Sequence, residues 1–170
     1  MQVKKLTLKL NNTVVGGGRP KICVPITGKT REQILDQAGA AAAAKPDLAE
    51  WRVDFWEEAE NREAARKVLG SLAEILADIP ILFTFRSGDE GGSRGISPEE
   101  YLKLNLWAAC RPEISLVDVE IMNSRWDGPE IVRQIHRAGK PVIGSRHYFE
   151  RTPDRKELKN VFGALADSGA

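Results

Sequence analysis

Charged side chains and one histidine recur near the ends of several short apolar segments of this sequence. Carboxylates accept hydrogen bonds from hydroxyl groups, and arginine donates them in a planar fork, so the set suits a small polyhydroxylated or acidic ligand. A histidine among such groups can take up and return a proton near neutral pH. The residues concerned are Glu50, Arg52, Arg86, Glu90, Asp118, Glu120 and His147.

Most of these residues belong to pairs spaced two apart. Within a β-strand this spacing places both side chains of a pair on the same face. A buried ion-pair network explains any one of them about as well as a functional site does. The concentration of the whole set at strand ends favours a site. The pairs are Glu50 with Arg52, Thr84 with Arg86, Asp118 with Glu120, and Ser145 with His147.

The elements that position these residues alternate between strand and helix. Repeated strand–helix order predicts a parallel sheet with right-handed crossovers, either an open doubly wound sheet or a (β/α) barrel. We favour the barrel, because an open sheet would bury these charges under helices on both faces. Five units fit the chain, whereas a full barrel has eight. Strands are predicted at 21–26, 48–55, 79–86, 115–121 and 141–149, and helices at 31–44, 59–77, 97–110, 129–138 and 154–166.

A β-hairpin is predicted at residues 5–15, before the first of these units. We therefore expect residues 1–18 to contribute a hairpin and residues 19–170 to form one partial barrel domain. Residues 88–95 form a glycine-rich loop that lacks the phosphate-binding patterns, and we expect it to be a mobile lid.

Composition excludes several classes of protein. Lys and Arg total 25 against 24 for Asp and Glu, without the basic excess typical of nucleic-acid binders. No apolar run approaches the roughly 20 residues of a membrane span, and the first residues lack a signal peptide. Two cysteines form no disulfide framework, so we expect a cytoplasmic protein. Of the two histidines, His136 is assigned to a helix surface, and no metal or cofactor is expected.

Six segments, in this order and spacing, resemble the type I 3-dehydroquinases, Schiff-base-forming 3-dehydroquinate dehydratases of the shikimate pathway. The resemblance implies a (β/α)8 barrel of the TIM-barrel family, closed at its bottom by an N-terminal hairpin, and a lyase that converts 3-dehydroquinate to 3-dehydroshikimate and water. The segments are PKICVPITGKT at 20–30, EWRVDF at 50–55, ILFTFRSGDEGG at 81–92, EYLKLN at 100–105, VDVE at 117–120 and SRHYFERTP at 145–153.

The resemblance also implies roles. His147 matches the catalytic histidine, which removes a proton beside the carbonyl carbon and later protonates the departing hydroxyl, and Glu90 matches the carboxylate that orients it. Glu50, Arg52 and Arg86 match substrate-binding residues.

Two departures from the family pattern stand out. Arg146 and Tyr148 replace the usual Asn and Asp beside the histidine, and strand alternation predicts that both turn away from the face of His147. The family's Schiff-base lysine is expected just beyond residue 170. None of the four lysines considered as a substitute is predicted to reach the strand ends. They are Lys21, Lys140, Lys156 and Lys159.

These departures leave three possibilities for the chain. The leading interpretation is the N-terminal part of a dehydratase that is inactive alone. The alternatives are a non-catalytic binding or assembly module and a half-enzyme completed by another chain. Five strands would also leave two sheet edges open, which predicts a homo-oligomer.

Overall fold

The computed structural model describes residues 7–170. The predicted hairpin is present as β1 (Leu8–Leu10) and β2 (Thr13–Val15), paired antiparallel. Residues 1–6, which include the first two positions of that prediction, lie outside the described residues.

Five parallel strands follow the hairpin, and they lie in the sheet in their order along the chain. A doubly wound sheet reverses its strand order at a switch point, and this one does not. The sheet and its helices form the partial barrel predicted from the sequence. The strands are β3 (Cys23–Ile26), β4 (Leu48–Arg52), β5 (Ile81–Thr84), β6 (Ile114–Glu120) and β7 (Val142–Ser145). The helices are α1 (Arg31–Ala44), α2 (Arg62–Leu76), α3 (Pro98–Ala109), α4 (Gly128–Arg137) and α5 (Arg155–Asp167).

Capping residues determine where the helices begin. Ser97 caps α3, accepting the backbone N–H of Glu100 at 3.1 Å, with Pro98 in the first turn as predicted. Helix α2 begins at Arg62 rather than at residue 59, because Asn61 caps it by accepting the N–H of Ala64 at 3.1 Å.

Four of the five parallel strands end earlier than predicted, and β4 and β7 are shortened most. Strand β4 stops at Arg52 and is followed by a 3-10 turn, Val53–Phe55. Strand β7 stops at Ser145, four residues before the predicted end at residue 149. The backbone N–H of His147 donates to the Glu90 carboxylate at 3.0 Å instead of to a strand neighbour. At His147 a hydrogen bond to the Glu90 side chain therefore replaces the backbone hydrogen bond that would continue the strand.

The two faces of the sheet bury different side chains. Trp51 and Phe83 lie on the helix-facing side with their rings edge to face, 5.8 Å apart. Phe83 pairs with Trp51 and Thr84 with Arg52, so Thr84 is the inward residue of β5. The register of β5 against β4 therefore decides which face of β5 points inward.

A leucine layer covers the inner face at the N-terminal ends of the strands. Leu48, Leu82 and Leu116 form one buried cluster with Leu10 of the hairpin. Thr13 in β2 donates to the carbonyl of Asp47 at 3.1 Å and ties the hairpin to the start of β4. The bottom of the sheet is thus apolar, and the polar residues lie above it.

Across residues 7–170 there is no helix with the length and apolar character needed to cross a bilayer.

Candidate active site

Polar side chains occupy the inner face above the leucine layer, at the C-terminal ends of β4 to β7. The register places Arg52 beside Thr84, and Glu120 beside Ser145. In parallel barrels this end of the strands is where sites form.

Arg86, which follows β5, is the centre of this group. Its Nη2 lies 2.8 Å from Oδ1 of Asp118, and its Nη1 donates to Ser145 Oγ at 2.8 Å and to Glu120 Oε1 at 3.3 Å. Only 5% of Arg86 is exposed. Burial opposes its charge, but attraction from Asp118 and Glu120 raises the Arg86 pKa above its ordinary value. The Arg86 guanidinium therefore stays positively charged at the C-terminal ends of the strands.

Asp118 behaves as an unusual acid within this group. Its burial raises the pKa of the carboxyl to about 6, even though Arg86 and the Ser145 hydroxyl favour the charged form. Ser145 donates to Asp118 Oδ1 at 2.9 Å. Asp118 can thus change its charge in a mildly acidic range in which ordinary carboxyls stay ionised.

Glu120 is held on all sides by protein groups. Its carboxylate accepts the backbone N–H of Ser87 at 2.8 Å, the Ser87 hydroxyl at 2.7 Å and the Asn123 amide at 3.0 Å. Its own N–H donates to the Tyr101 hydroxyl at 3.0 Å, and the Tyr101 ring stacks on Trp126 at 3.9 Å. Glu120 is fully buried, so its role is to fix Arg86 and the loop that begins at Ser87.

Glu90 and His147 are in direct contact. Nδ1 of the His147 ring lies 3.0 Å from Oε2 of Glu90. Glu90 is fully buried, whereas the His147 side chain is 36% exposed. Burial of Glu90 opposes its charge, but hydrogen bonds from His147 and Arg146 lower the Glu90 pKa below its usual range. A carboxylate is therefore available to hold the imidazole.

The prediction that Arg146 turns away from His147 is wrong. Arg146 Nη1 donates to Oε1 of Glu90 at 2.8 Å, on the carboxylate that His147 also contacts. Strand alternation does not extend to Arg146, because β7 ends one residue earlier, at Ser145. The Arg146 guanidinium also lies over the Tyr148 ring, 5.1 Å from the ring centroid.

Sequence reasoning missed Asp54, which joins three parts of the site. Its carboxylate is fully buried and accepts two bonds from Arg52, at 2.8 and 2.9 Å. It also accepts the backbone N–H groups of Arg86 at 3.3 Å and Ser93 at 3.1 Å. The signal was available, because Asp54 is the one remaining charged residue of the EWRVDF segment.

These bonds also determine the character of the glycine-rich loop. Arg94 donates to the carbonyls of Asp54 at 2.9 Å and Trp56 at 2.6 Å, and Glu90 is completely buried. A side chain at Gly92 would collide with the backbone oxygen of Arg86, at 1.8 Å. Glu90, Gly92 and Arg94 thus tie the loop to the site, while five of its eight residues are exposed, and its movement as a lid stays a prediction.

The two remaining predicted residues lie on β4. Arg52 is half-buried, paired with Asp54, and its guanidinium lies 4.9 Å from the centre of the Phe55 ring. Glu50 is also half-buried, and its charge contributes to the raised pKa of Asp118. Both therefore lie at the polar end of the sheet, with Glu50 one layer deeper.

Lysines within residues 7–170 lie mostly away from this group. Lys140 Nζ donates to the carbonyl of Ile114 at 2.6 Å, at the opposite end of the sheet, and Lys156 and Lys159 are on α5. Sequence reasoning did not consider Lys29, which follows β3 in an exposed loop at the same end as the site.

Comparison with known proteins gives one consistent result. The family model described as type I 3-dehydroquinase matches residues 22–170. The 3-dehydroquinate dehydratase of Syntrophotalea carbinolica is 41% identical over 164 residues, which cover 96% of this chain and 65% of the relative. That of Clostridioides difficile is 39% identical over 166 residues, covering 98% and 65%.

Solved structures give the same result. A type I 3-dehydroquinate dehydratase from Clostridium difficile, with covalently modified comenic acid, is 38% identical with a TM-score of 0.90, covering 98% of this chain and 66% of its own. The Geobacillus kaustophilus 3-dehydroquinate dehydratase is 31% identical with a TM-score of 0.90, covering 97% and 64%. The chain thus spans somewhat less than two thirds of the length of these proteins.

Proposed function

The chain belongs to the type I 3-dehydroquinase family, and on that basis we propose that its strand ends form part of a 3-dehydroquinate dehydratase site. The reaction is the elimination of water from 3-dehydroquinate to give 3-dehydroshikimate, a carbon–oxygen lyase step of the shikimate pathway. The observation that carries the proposal is the contact of 3.0 Å between His147 Nδ1 and the buried Glu90 carboxylate.

His147 is proposed as the group that moves the proton. With Nδ1 bound to Glu90, the other ring nitrogen, Nε2, is left to face a ligand. It removes a proton from the carbon next to the substrate carbonyl carbon, and the imidazolium so formed is stabilised by Glu90. The same proton then passes to the departing hydroxyl, which leaves as water.

Glu50, Arg52 and Arg86 are proposed to bind the substrate ring. Glu50 and Arg52 are half-buried at the polar end of β4 and suit hydroxyl groups as acceptor and donor. Arg86 is almost fully enclosed by protein acceptors, so its contribution is chiefly a fixed positive charge below the ring.

The elimination is proposed to run through a Schiff base. A lysine amine condenses with the substrate ketone and releases water, and the resulting imine takes up the electron pair left by proton removal, forming an enamine. The enamine returns that pair as the C–O bond breaks, and water then hydrolyses the product imine to free 3-dehydroshikimate and the amine. We propose that this lysine is not among those of the 170 residues. Lys140 is bound at the opposite end of the sheet, and Lys156 and Lys159 are on α5, which supports this assignment.

Variants of the two histidines test the proposal. The longest open reading frame that contains this sequence is expressed, and 3-dehydroshikimate is followed by its absorbance. We expect H147Q to abolish turnover and H136Q, on the last turn of α4, to leave it unchanged. Turnover that survives in H147Q, or its absence in the unmutated protein, would contradict the proposal.

The protein is further proposed to be a cytoplasmic homo-oligomer. Strands β3 and β7 are the two edges of the five-stranded sheet, and unpaired edges favour association with another chain. The cytoplasmic location follows from the proposed place in amino-acid biosynthesis and from the lack of a disulfide framework in the sequence.

A further inference from the structure

Two neighbouring residues divide the Glu90 carboxylate between them. Oε1 accepts Arg146 Nη1 at 2.8 Å, while Oε2 accepts the His147 backbone N–H and contacts His147 Nδ1, each at 3.0 Å. The carboxylate is fully buried, whereas the Arg146 side chain is 28% exposed. One buried anion thus joins one permanent cation and one titratable ring.

Arg146 neutralises the charge of Glu90 without the need for a protonated His147. A buried carboxylate is costly unless it is paired, and arginine keeps its charge at every relevant pH. Glu90 is therefore neutralised whether or not His147 carries a proton. Without Arg146, the nearest arginine would be Arg86, whose Nη1 lies 3.9 Å from Oε2. Because Arg86 is already bound by Asp118, Glu120 and Ser145, it cannot replace that pairing.

The tautomer of His147 follows from the charge of Glu90. An ionised carboxylate only accepts hydrogen bonds, so the ring nitrogen beside it must carry a hydrogen. In a neutral imidazole this leaves Nε2 as the bare nitrogen. Hydrogen bonds from His147 and Arg146 outweigh the effect of burial and lower the Glu90 pKa, in agreement with this charge state.

We propose that Arg146 is a positioning residue that keeps Glu90 ionised and thereby holds neutral His147 in the Nδ1–H tautomer with Nε2 free. The importance of a free Nε2 for catalysis rests on the proposed function, whereas the tautomer is a property of the folded chain. The Tyr148 ring under the Arg146 guanidinium fixes the direction in which it donates.

Nitrogen NMR on the 170-residue chain with labelled histidine tests this directly. At a pH where the His147 ring is neutral, we expect the unmutated chain to show one protonated Nδ1 and one bare Nε2 for His147, with H136Q used to assign the two rings. In R146Q the neutral Nδ1–H form should lose its dominance, since Glu90 then either gains a proton or draws one onto His147. R146K, which keeps the charge, should retain that form.

Arg151 provides the matched control. It lies five residues after Arg146 and pairs with Glu157 at 2.7 Å, with 60% of its side chain exposed. R151Q removes the same charge and should leave the His147 spectrum unchanged. An Nε2–H tautomer in the unmutated chain, or an unchanged tautomer in R146Q, would overturn the proposal. The tautomer of the unmutated chain is measured without any variant, so an Nε2–H form there would overturn the proposal even if R146Q does not fold. Since no turnover is measured, failure here is distinct from failure of the proposed function.

Discussion

Arg52 and Asp54 are two residues apart and form a two-point ion pair, with Nε to Oδ1 at 2.8 Å and Nη2 to Oδ2 at 2.9 Å. The chain turns into a 3-10 segment between them, which brings both side chains to the same place. Arg52, which is proposed to bind substrate, is thus held by the Asp54 carboxylate. The same carboxylate accepts the backbone N–H groups of Arg86, after β5, and of Ser93, in the glycine-rich loop.

Asp54→Asn should destabilise the fold by about 3 kcal/mol, because it leaves the Arg52 charge and two backbone donors poorly paired in a buried setting. Urea unfolding followed by circular dichroism measures the loss. Asp89→Asn in the same part of the chain is the control, since Asp89 is largely exposed and pairs with Arg125 only at 3.5 Å. Equal stability of the two variants would show that Asp54 does not anchor the site.

Asp118 should make stability depend on pH in a particular window. Its pKa in the folded chain is about 6, above the ordinary value of 3.8, so folding favours the protonated carboxyl. This contribution is fully present below about pH 4 and is lost as the pH rises through 6. Relative to the unmutated chain, Asp118→Asn should therefore be more stable at pH 7 than at pH 4. Urea midpoints at the two pH values measure this, and a difference of the opposite sign would contradict the raised pKa.

The 170-residue chain alone should not dehydrate 3-dehydroquinate. The lysine proposed for the Schiff base is not among those of the 170 residues, so incubation should give no 3-dehydroshikimate absorbance, and borohydride should trap no adduct. Intact mass spectrometry checks the second result. Peptide mapping should examine Lys29 first, because it lies at the same end of the sheet as His147. Turnover or an adduct on any lysine of the chain would refute the assignment.

The 170-residue chain should associate in solution. Strands β3 and β7 are sheet edges, and inward residues between them face no further strand within the described part of the chain. Each Å² of apolar surface left in water costs roughly 25 cal/mol, which favours burial against a second copy. Light scattering with size exclusion should give a dimer or larger species. A stable monomer at micromolar concentration with little dye binding would contradict this prediction.

The sequence predicted the strand–helix order well, because strands and helices differ in the spacing of their apolar residues. It also predicted the cap at Ser97, whose partners lie within one turn. It could not place the end of β7, because the bond that ends the ladder comes from Glu90, which is 57 residues earlier. The error about Arg146 followed from that missing contact.

The sequence shows Asp54 only as a charged residue, and its bonds could not be predicted for a related reason. Its partners Arg86 and Ser93 are 32 and 39 residues away, and only the fold brings them together. The sequence likewise could not show whether Phe83 or Thr84 faces inward. Alternation shows that neighbouring side chains point to opposite faces, but not which face is the inner one. Pairing of Thr84 with Arg52 decides between them.

The two layers on the inner face separate two kinds of mutational tolerance along a single strand. On β6, Leu116 belongs to the leucine layer and Asp118, two residues on and about 7 Å higher, belongs to the polar group. A protein engineer could therefore vary the lower layer together with Leu10, matching volumes, while the upper layer keeps its charges. Selection for thermal resistance would then change the leucine layer, and selection for a new ligand would change the polar group above it.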